Sequence, residues 1–197
     1  MTDRRATNAH PIMEAMAQRH SPRAYDGQAL TPAQLSSILE AGRWSASCFN
    51  EQPWNFVVAR SDEKEEFARL LGLLGPANQA WAKNAGALVI TVVRKVFAAN
   101  GNPNAVAMYD LGQAAALMTL QASSMGLACR QMRGFDVERA RTELGVPENH
   151  DPVSAIAIGT PASPTILSED LQAKEAMPRM RKPIADFTHA GVWGGKA

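Results

Sequence analysis

The chain has 197 residues, 46% of them hydrophobic and 20% charged, with a formal net charge of +1. That length suits one domain with a real buried core, and the near-neutral balance excludes a global bias toward nucleic acid or acidic membrane surfaces. The two cysteines, Cys48 and Cys129, lie far apart. They provide neither a disulfide framework nor a zinc-ligand spacing, and they fit a reducing, cytoplasmic setting. The opening MTDRRATNAHP has no apolar core of a signal peptide. The apolar stretch 105–129 is interrupted by Asp110, Gln113 and Gln121, which argues for a buried helix rather than a membrane span.

In chain order, Pro11 opens a first helix running to Arg19, with Ile12, Met13 and Met16 on one face, and Ser21-Pro22 breaks it. Thr31-Pro32-Ala33-Gln34 reads as a helix start: Thr31 caps, Pro32 takes the first helical position and Gln34 reaches back. Residues 44–54 are a loop ended by Pro53, and 55–59 a strand. A helix is expected from Ser61 to Leu74, stopped by Gly75-Pro76. Residues 87–93 form a continuous β-branched run, a strand buried on both faces. The longest helix spans 105–125, small-sided and rich in alanine, and Gly126 closes it. A short strand at 127–132 follows, then a helix capped by Asp136, a second buried strand at 153–158, and a proline-rich extended arm from 161 to 183. The pattern implies an α+β fold, a mixed, mainly antiparallel sheet flanked by helices. The crowded small-sided helix and the departing arm both point toward a dimer.

Four constellations bear on chemistry. Arg19-His20-Ser21-Pro22-Arg23 packs two guanidiniums, a hydroxyl and free amides into a turn that suits an anion; a solvated basic turn is the plainer alternative. Ser47-Cys48-Phe49-Asn50-Glu51-Gln52-Pro53-Trp54 offers amide side chains that suit the edge of a flavin or nucleobase, or is a turn anchored by its tryptophan. In Gln131-Met132-Arg133-Gly134-Phe135-Asp136, Gly134 allows close backbone approach to a planar ligand, or serves only the turn. Arg179-Met180-Arg181-Lys182-Pro183 puts two arginines on one side of an extended segment, as a phosphate grip or a basic tail. There is no P-loop, GxGxxG, HExxH or GxSxG. Cys48 lacks a fixed activating base and reads as structural.

These features, in this order, resemble the FMN-dependent nitroreductase family from about His10 to Pro183. The resemblance rests on RHSPRAYD, ARWSASCFNEQPWNFVV split by one glycine (AGRWSASCFNEQPWNFVV), YDLGQAAALMTLQASSMGLA, QMRGFD, VSAIAIGTP and RKP. It implies a single nitroreductase-like domain over 1–197 and an intertwined homodimer with two FMN sites at its interface. The segment 161–197 would be a C-terminal arm serving the dimer and the FMN phosphate. By the same resemblance Arg19, His20 and Ser21 lie at the phosphate and ribityl chain, Arg23 at the pyrimidine edge, and Arg179 and Arg181 on the phosphate. Asn78, Met132 and Gly134 would line the ring, with the Gly134 N–H toward N5. Ser47, Cys48, Asn50 and Gln52 would come from the other subunit, and Phe49 and Arg133 would meet the substrate.

The implied activity takes hydride from NADH or NADPH and passes it through flavin N5 to a small planar acceptor such as a nitroaromatic or quinone. No nucleic acid or membrane partner is implied. A flavin reductase of another small substrate, an enone or aldehyde, and a flavin-binding module without turnover are the alternatives. The chain departs from the family pattern in Ala46-Ser47 for Pro-Ser and in Cys48 for a second serine. It also has Trp81 where some members place a lysine, which would leave Arg23 as the main cation at the ring. Arg133, acidic or small elsewhere, suggests a carboxylate- or phosphate-bearing substrate.

Overall fold

The computed structural model describes residues 4–195. The ends of the expected 1–197 domain and 161–197 arm therefore lie outside the described residues. In order, the elements are α1 (Glu14–Gln18), α2 (Pro32–Arg43), β1 (Trp54–Arg60), α3 (Lys64–Leu73), α4 (Pro76–Ala82), β2 (Ala87–Arg94), α5 (Ala107–Ser124), β3 (Ala128–Met132), α6 (Val137–Glu143), β4 (His150–Gly159) and α7 (Glu169–Ala176).

The strands form one sheet in the order β1-β2-β4-β3, and every pairing is antiparallel. The expectation of a mixed sheet is corrected: among the described residues no strand pair is parallel. The continuous apolar run in β2 reflects helices on both faces of an antiparallel sheet, not a parallel crossover. Leu88 and Ile90 point into a core with Leu70, Leu73, Trp81 and Phe135, on the side of α3, α4 and α6. Val89, Ile156 and Ile158 point the other way, onto Ile38 of α2 and Met118 and Ala122 of α5. A Cβ on Gly42 would come within 2.8 Å of Met118 Cγ, so glycine lets α2 lie directly on α5.

Local signals produced most element starts. Thr31 Oγ1 accepts the Gln34 N–H at 3.2 Å while Gln34 Oε1 accepts the Thr31 N–H at 2.9 Å, the expected reciprocal cap. Asp136 Oδ1 accepts the Arg139 N–H at 3.0 Å and starts α6. Three boundaries differ. The first helix begins at Glu14, three residues beyond Pro11. Gly75-Pro76 ends α3 but also starts α4, because Pro76 occupies a first-turn position where its missing N–H costs nothing. The segment 161–183 is not extended throughout, since it carries a 3₁₀ turn at Pro164–Ile166 and then α7. No described helix is long and apolar enough to cross a membrane.

Candidate functional site

The turn after α1, strand β3 and the segment following α7 enclose a cavity of about 200 Å³. From the N-terminal side it is lined by Arg4, Arg19, His20, Ser21 and Arg23. From β3 comes Arg130, and from the C-terminal side Lys174, Glu175, Arg179 and Arg181. Seven of these side chains are cationic and one, Glu175, is a carboxylate. Glu175 is already committed, pairing with Arg23 at 2.8 Å. The structure thus brings together the two basic segments that lie at opposite ends of the sequence.

The crowding shows in the proton affinities. The Arg19 guanidinium is lowered by burial and then by the charge of Arg181. Arg179 is lowered by burial and then by Arg19, Arg181 and Arg4. His20 is lowered chiefly by burial, with Arg179 and Arg4 adding to the effect and the Gln18 carbonyl and Glu175 opposing it. Like charges held together in a half-buried cleft are relieved by an anion.

Within the cleft the arginines have distinct tasks. Arg19 Nη1 donates to Ser21 Oγ at 3.2 Å, which sets the hydroxyl beside the guanidinium. Arg179 donates to the carbonyls of Arg19 at 2.8 Å and Ala17 at 3.3 Å, and to that of Arg4. Its guanidinium therefore closes the end of α1 and fixes the turn that presents Arg19. Among the described residues Arg181 Nη1 bonds only the neighbouring Met180 carbonyl, at 2.7 Å, and the residue is exposed.

Arg130, Lys174, Glu175 and Arg4 carry no sequence signal of a site. Arg130 shows in the sequence only as a charge in the short strand Ala128–Met132. Its guanidinium lies 5.5 Å from the centroid of Trp81 and donates to the Ser21 carbonyl. Trp81 itself is buried and stacks on Tyr25 at 6.3 Å. The departure at Trp81 therefore does not leave Arg23 as the one cation on this side; Arg130 stands over the indole.

Past β3, the Gly134 carbonyl accepts the Gly75 N–H at 3.0 Å and Asn78 Nδ2 at 3.0 Å. Its own N–H has no partner among the described residues, and the residue is exposed. A Cβ here would meet Asn78 Nδ2 at 2.9 Å, so glycine keeps the carbonyl anchored and the amide uncovered. Asn78 thus acts first on Gly134, through its nitrogen. Gly134 lies four positions beyond Arg130, so its backbone is at most about 14 Å from that of Arg130. Met132 faces the apolar core, and Arg133 is exposed with its guanidinium 5.7 Å from the Phe135 ring centroid.

Ser47, Cys48, Phe49, Asn50 and Gln52 lie elsewhere: none lines the cleft of its own chain. They form a 3₁₀ turn at Cys48–Asn50 and the residues around it. Phe49, Asn50 and Gln52 have φ of 51°, 57° and 48°, the only non-glycine positive values among the described residues. Both cysteines are free thiols, and burial pushes Cys129 up to about 12.

A cationic cleft with an uncovered backbone amide four positions beyond one of its arginines is suited to a phosphorylated ligand. Residues 16–160 match the Nitroreductase family. The chain belongs to the nitroreductase family. It is 34% identical over 133 residues to an uncharacterized 15.4 kDa protein of Mycolicibacterium smegmatis, covering 66% of this chain and 86% of that one. It is 27% identical over 186 residues to an NADH dehydrogenase of Thermus thermophilus, covering 77% of this chain and 89% of that one. The crystal structure of an oxidoreductase containing FMN superposes with a TM-score of 0.91 at 33% identity, covering 100% of this chain and 99% of that one.

Proposed function

We propose that this chain is an FMN-dependent NAD(P)H oxidoreductase that acts as a homodimer on a planar acceptor such as a nitroaromatic or a quinone. The observation that carries this reading is the cleft itself, seven cations against one carboxylate, with the Gly134 amide, unpartnered among the described residues, four positions beyond Arg130. FMN fits these residues: its phosphate is a dianion that calls for several charge-assisted donors, and its ring edge needs a donor at N5. Bound there, FMN would supply hydride transfer between the nicotinamide and the acceptor. Arg19, Ser21 and Arg181 are assigned to the phosphate and ribityl chain, with His20 behind them. Arg23 is assigned to the pyrimidine edge, where positive charge favours the reduced ring. Gly134 offers its N–H, held in place by Asn78. No acid or base from the chain is required for the transfer; its residues bind, orient and balance charge.

The second copy has its own support. Trp44, Phe49 and Tyr109 are 73%, 90% and 71% exposed, with Met13 and Met108 also uncovered. Large exposed apolar side chains in such number mark an association surface. Phe49 belongs to the turn that carries Ser47, Asn50 and Gln52, so a partner docked there receives those side chains. The segment from residue 161 onward, with Met177, Met180 and Phe187 exposed, is assigned to the same association.

The test is direct. The purified protein, reconstituted with FMN, should be yellow, bleach anaerobically with NADH or NADPH, and recover its colour with a nitroaromatic or quinone. Its mass in solution should be twice 21.2 kDa. Failure to take up FMN overturns the cofactor assignment. A yellow protein that neither nicotinamide reduces overturns the catalytic one, and a flavin-loaded monomer overturns the dimer.

A further inference from the structure

Asp110 is 3% exposed, a carboxylate inside the fold on the first turn of α5. The positive end of that 18-residue helix makes an acid tolerable there. Its one hydrogen bond among the described residues is to the main chain of a distant loop: Oδ2 accepts the Cys48 N–H at 3.1 Å, across 62 residues of sequence. Cys48 opens the turn in which Phe49, Asn50 and Gln52 are all left-handed.

Left-handed backbone at three side-chain-bearing residues within four positions is strained, and it persists only where the surroundings hold it. The holding contacts can be counted off. Asp110 fixes the Cys48 amide at the start of the turn. Ser47 Oγ accepts the Gln52 N–H at 3.0 Å and closes it. Glu51, whose side chain is 10% exposed, pairs with Arg94 and accepts the Ala98 N–H at 2.6 Å, while Arg94 also donates to the Glu51 carbonyl at 3.1 Å. Two sequestered carboxylates are thus spent on one exposed turn. The side chains they orient do nothing comparable for their own chain. Among the described residues Phe49, 90% exposed, has the edge of Phe97 as its one ring contact, and Asn50 and Gln52 are exposed, with Gln52 Nε2 donating to the Asn50 carbonyl at 3.1 Å inside the turn. A strained turn that is anchored from behind and uncommitted in front is built for a ligand.

We propose that Asp110, with Glu51 at the far end of the turn, is a positioning residue that holds residues 48–52 pre-formed, so that Phe49, Asn50 and Gln52 meet the flavin bound by a second copy of the chain. This rests on the FMN reading above. Asp110 touches neither cofactor nor substrate; it acts through the Cys48 amide. Pre-organisation of this kind lowers the ordering cost of binding, so its loss appears in affinity rather than only in stability.

The experiment compares wild type, Asp110→Ala and Asp110→Asn for amide hydrogen exchange at residues 47–53, FMN dissociation constant by fluorescence titration, and thermal midpoint. In Asp110→Ala, exchange at 48–52 should rise by about tenfold or more and FMN should bind about tenfold more weakly, the scale of one lost charge-assisted bond. Asp110→Asn keeps an oxygen for the Cys48 N–H and should restore most of both. If Asp110→Ala does not fold, Glu51→Ala removes the acceptor that holds the turn at its other end and should give the same pair of changes. A folded Asp110→Ala protein with unchanged exchange and unchanged FMN affinity overturns the proposal. So does a lowered thermal midpoint with FMN affinity intact, which is what a merely structural acid would give. A wild-type protein that binds no FMN sinks the cofactor reading instead, and the exchange comparison still decides whether Asp110 holds the turn.

Discussion

In the basic cleft the backbone is ordinary and the charge is out of balance; in the turn at 47–52 the charges are balanced and the backbone is not. Seven cations face one carboxylate in the first, while in the second each carboxylate has found its donor and three residues sit in left-handed conformations. The contrast teaches what each region lacks. The cleft lacks negative charge, which a phosphorylated ligand brings. The turn lacks a surface to lean on, which a ring or a second subunit brings. Substitutions should therefore separate them by the kind of effect as well as by its size.

The largest effect is expected in the cleft. Arg19→Gln removes a guanidinium that neighbours Ser21 and Arg181, and FMN binding should weaken by about 1.5–3 kcal/mol, the range of a lost charge-assisted contact. Arg181→Ala should fall in the same range. Fluorescence titration of the cofactor-free protein measures both, and unaltered affinity in both would show that the phosphate lies elsewhere.

Next comes a change with opposite signs in two measurements. Glu175 is the cleft's own anion, 10% exposed and paired with Arg23. Glu175→Gln should lower the stability of the flavin-free protein, by about 1–3 kcal/mol, because Arg23 loses its partner among other cations. The same variant should bind FMN or inorganic phosphate more tightly, since the competing carboxylate charge is gone. Chemical denaturation and phosphate titration read the two terms. A variant weaker in both would mean that Glu175 supports the ligand instead of standing in for it.

The turn should answer differently. Phe49 is almost wholly exposed, so deleting its ring removes little burial, while its φ of 51° is one that glycine adopts freely. At dilutions that separate the proposed dimer, Phe49→Gly should hold or raise stability by up to about 1 kcal/mol, where truncating a core phenylalanine costs about 3–5 kcal/mol. The same variant should raise the KM for the acceptor. Stability lost on the core scale at those dilutions would mean that Phe49 is covered within its own subunit.

How much of this could be read from residue order follows from how local each feature is. The Thr31-Pro32-Gln34 cap and the Asp136 cap depend on residues three apart, and both were legible. So were the buried strands, from their continuous apolar runs. The helix α4 was not, because Gly75-Pro76 is equally a stop and a start. A mainly antiparallel sheet was expected, but that every pair is antiparallel and that the order is β1-β2-β4-β3 were not, since strand order is settled by long-range packing. In the candidate site, the turns 19–23 and 133–136 announced themselves by composition. Arg130 and Glu175 did not, because their meaning arises only against Ser21 and Arg23, 109 and 152 residues away. Asp110 looked like a polar interruption of a helix until the fold set it beneath Cys48.

The smallest expected effect isolates the cleft's charge by titration. Burial lowers the proton affinity of His20, and the cations Arg179 and Arg4 lower it further. The unfolded chain therefore takes up the proton first as pH falls from the ordinary histidine value of about 6.5. Between that value and the depressed one in the fold, the unfolded state binds more protons, so stability rises with pH across this window and is lost as pH falls through it. His20→Asn should flatten that limb by a fraction of a kcal/mol, with the portion due to His150, also lowered, left in place. Saturating phosphate should flatten it too, because an anion among the arginines makes the protonated imidazole less unfavourable. The turn at 47–52 contains no histidine, so substitutions there should leave the slope alone. Equal slopes for wild type and His20→Asn, measured by denaturation between about pH 5 and 7, would show that neither burial nor the cleft's positive charge depresses its histidine.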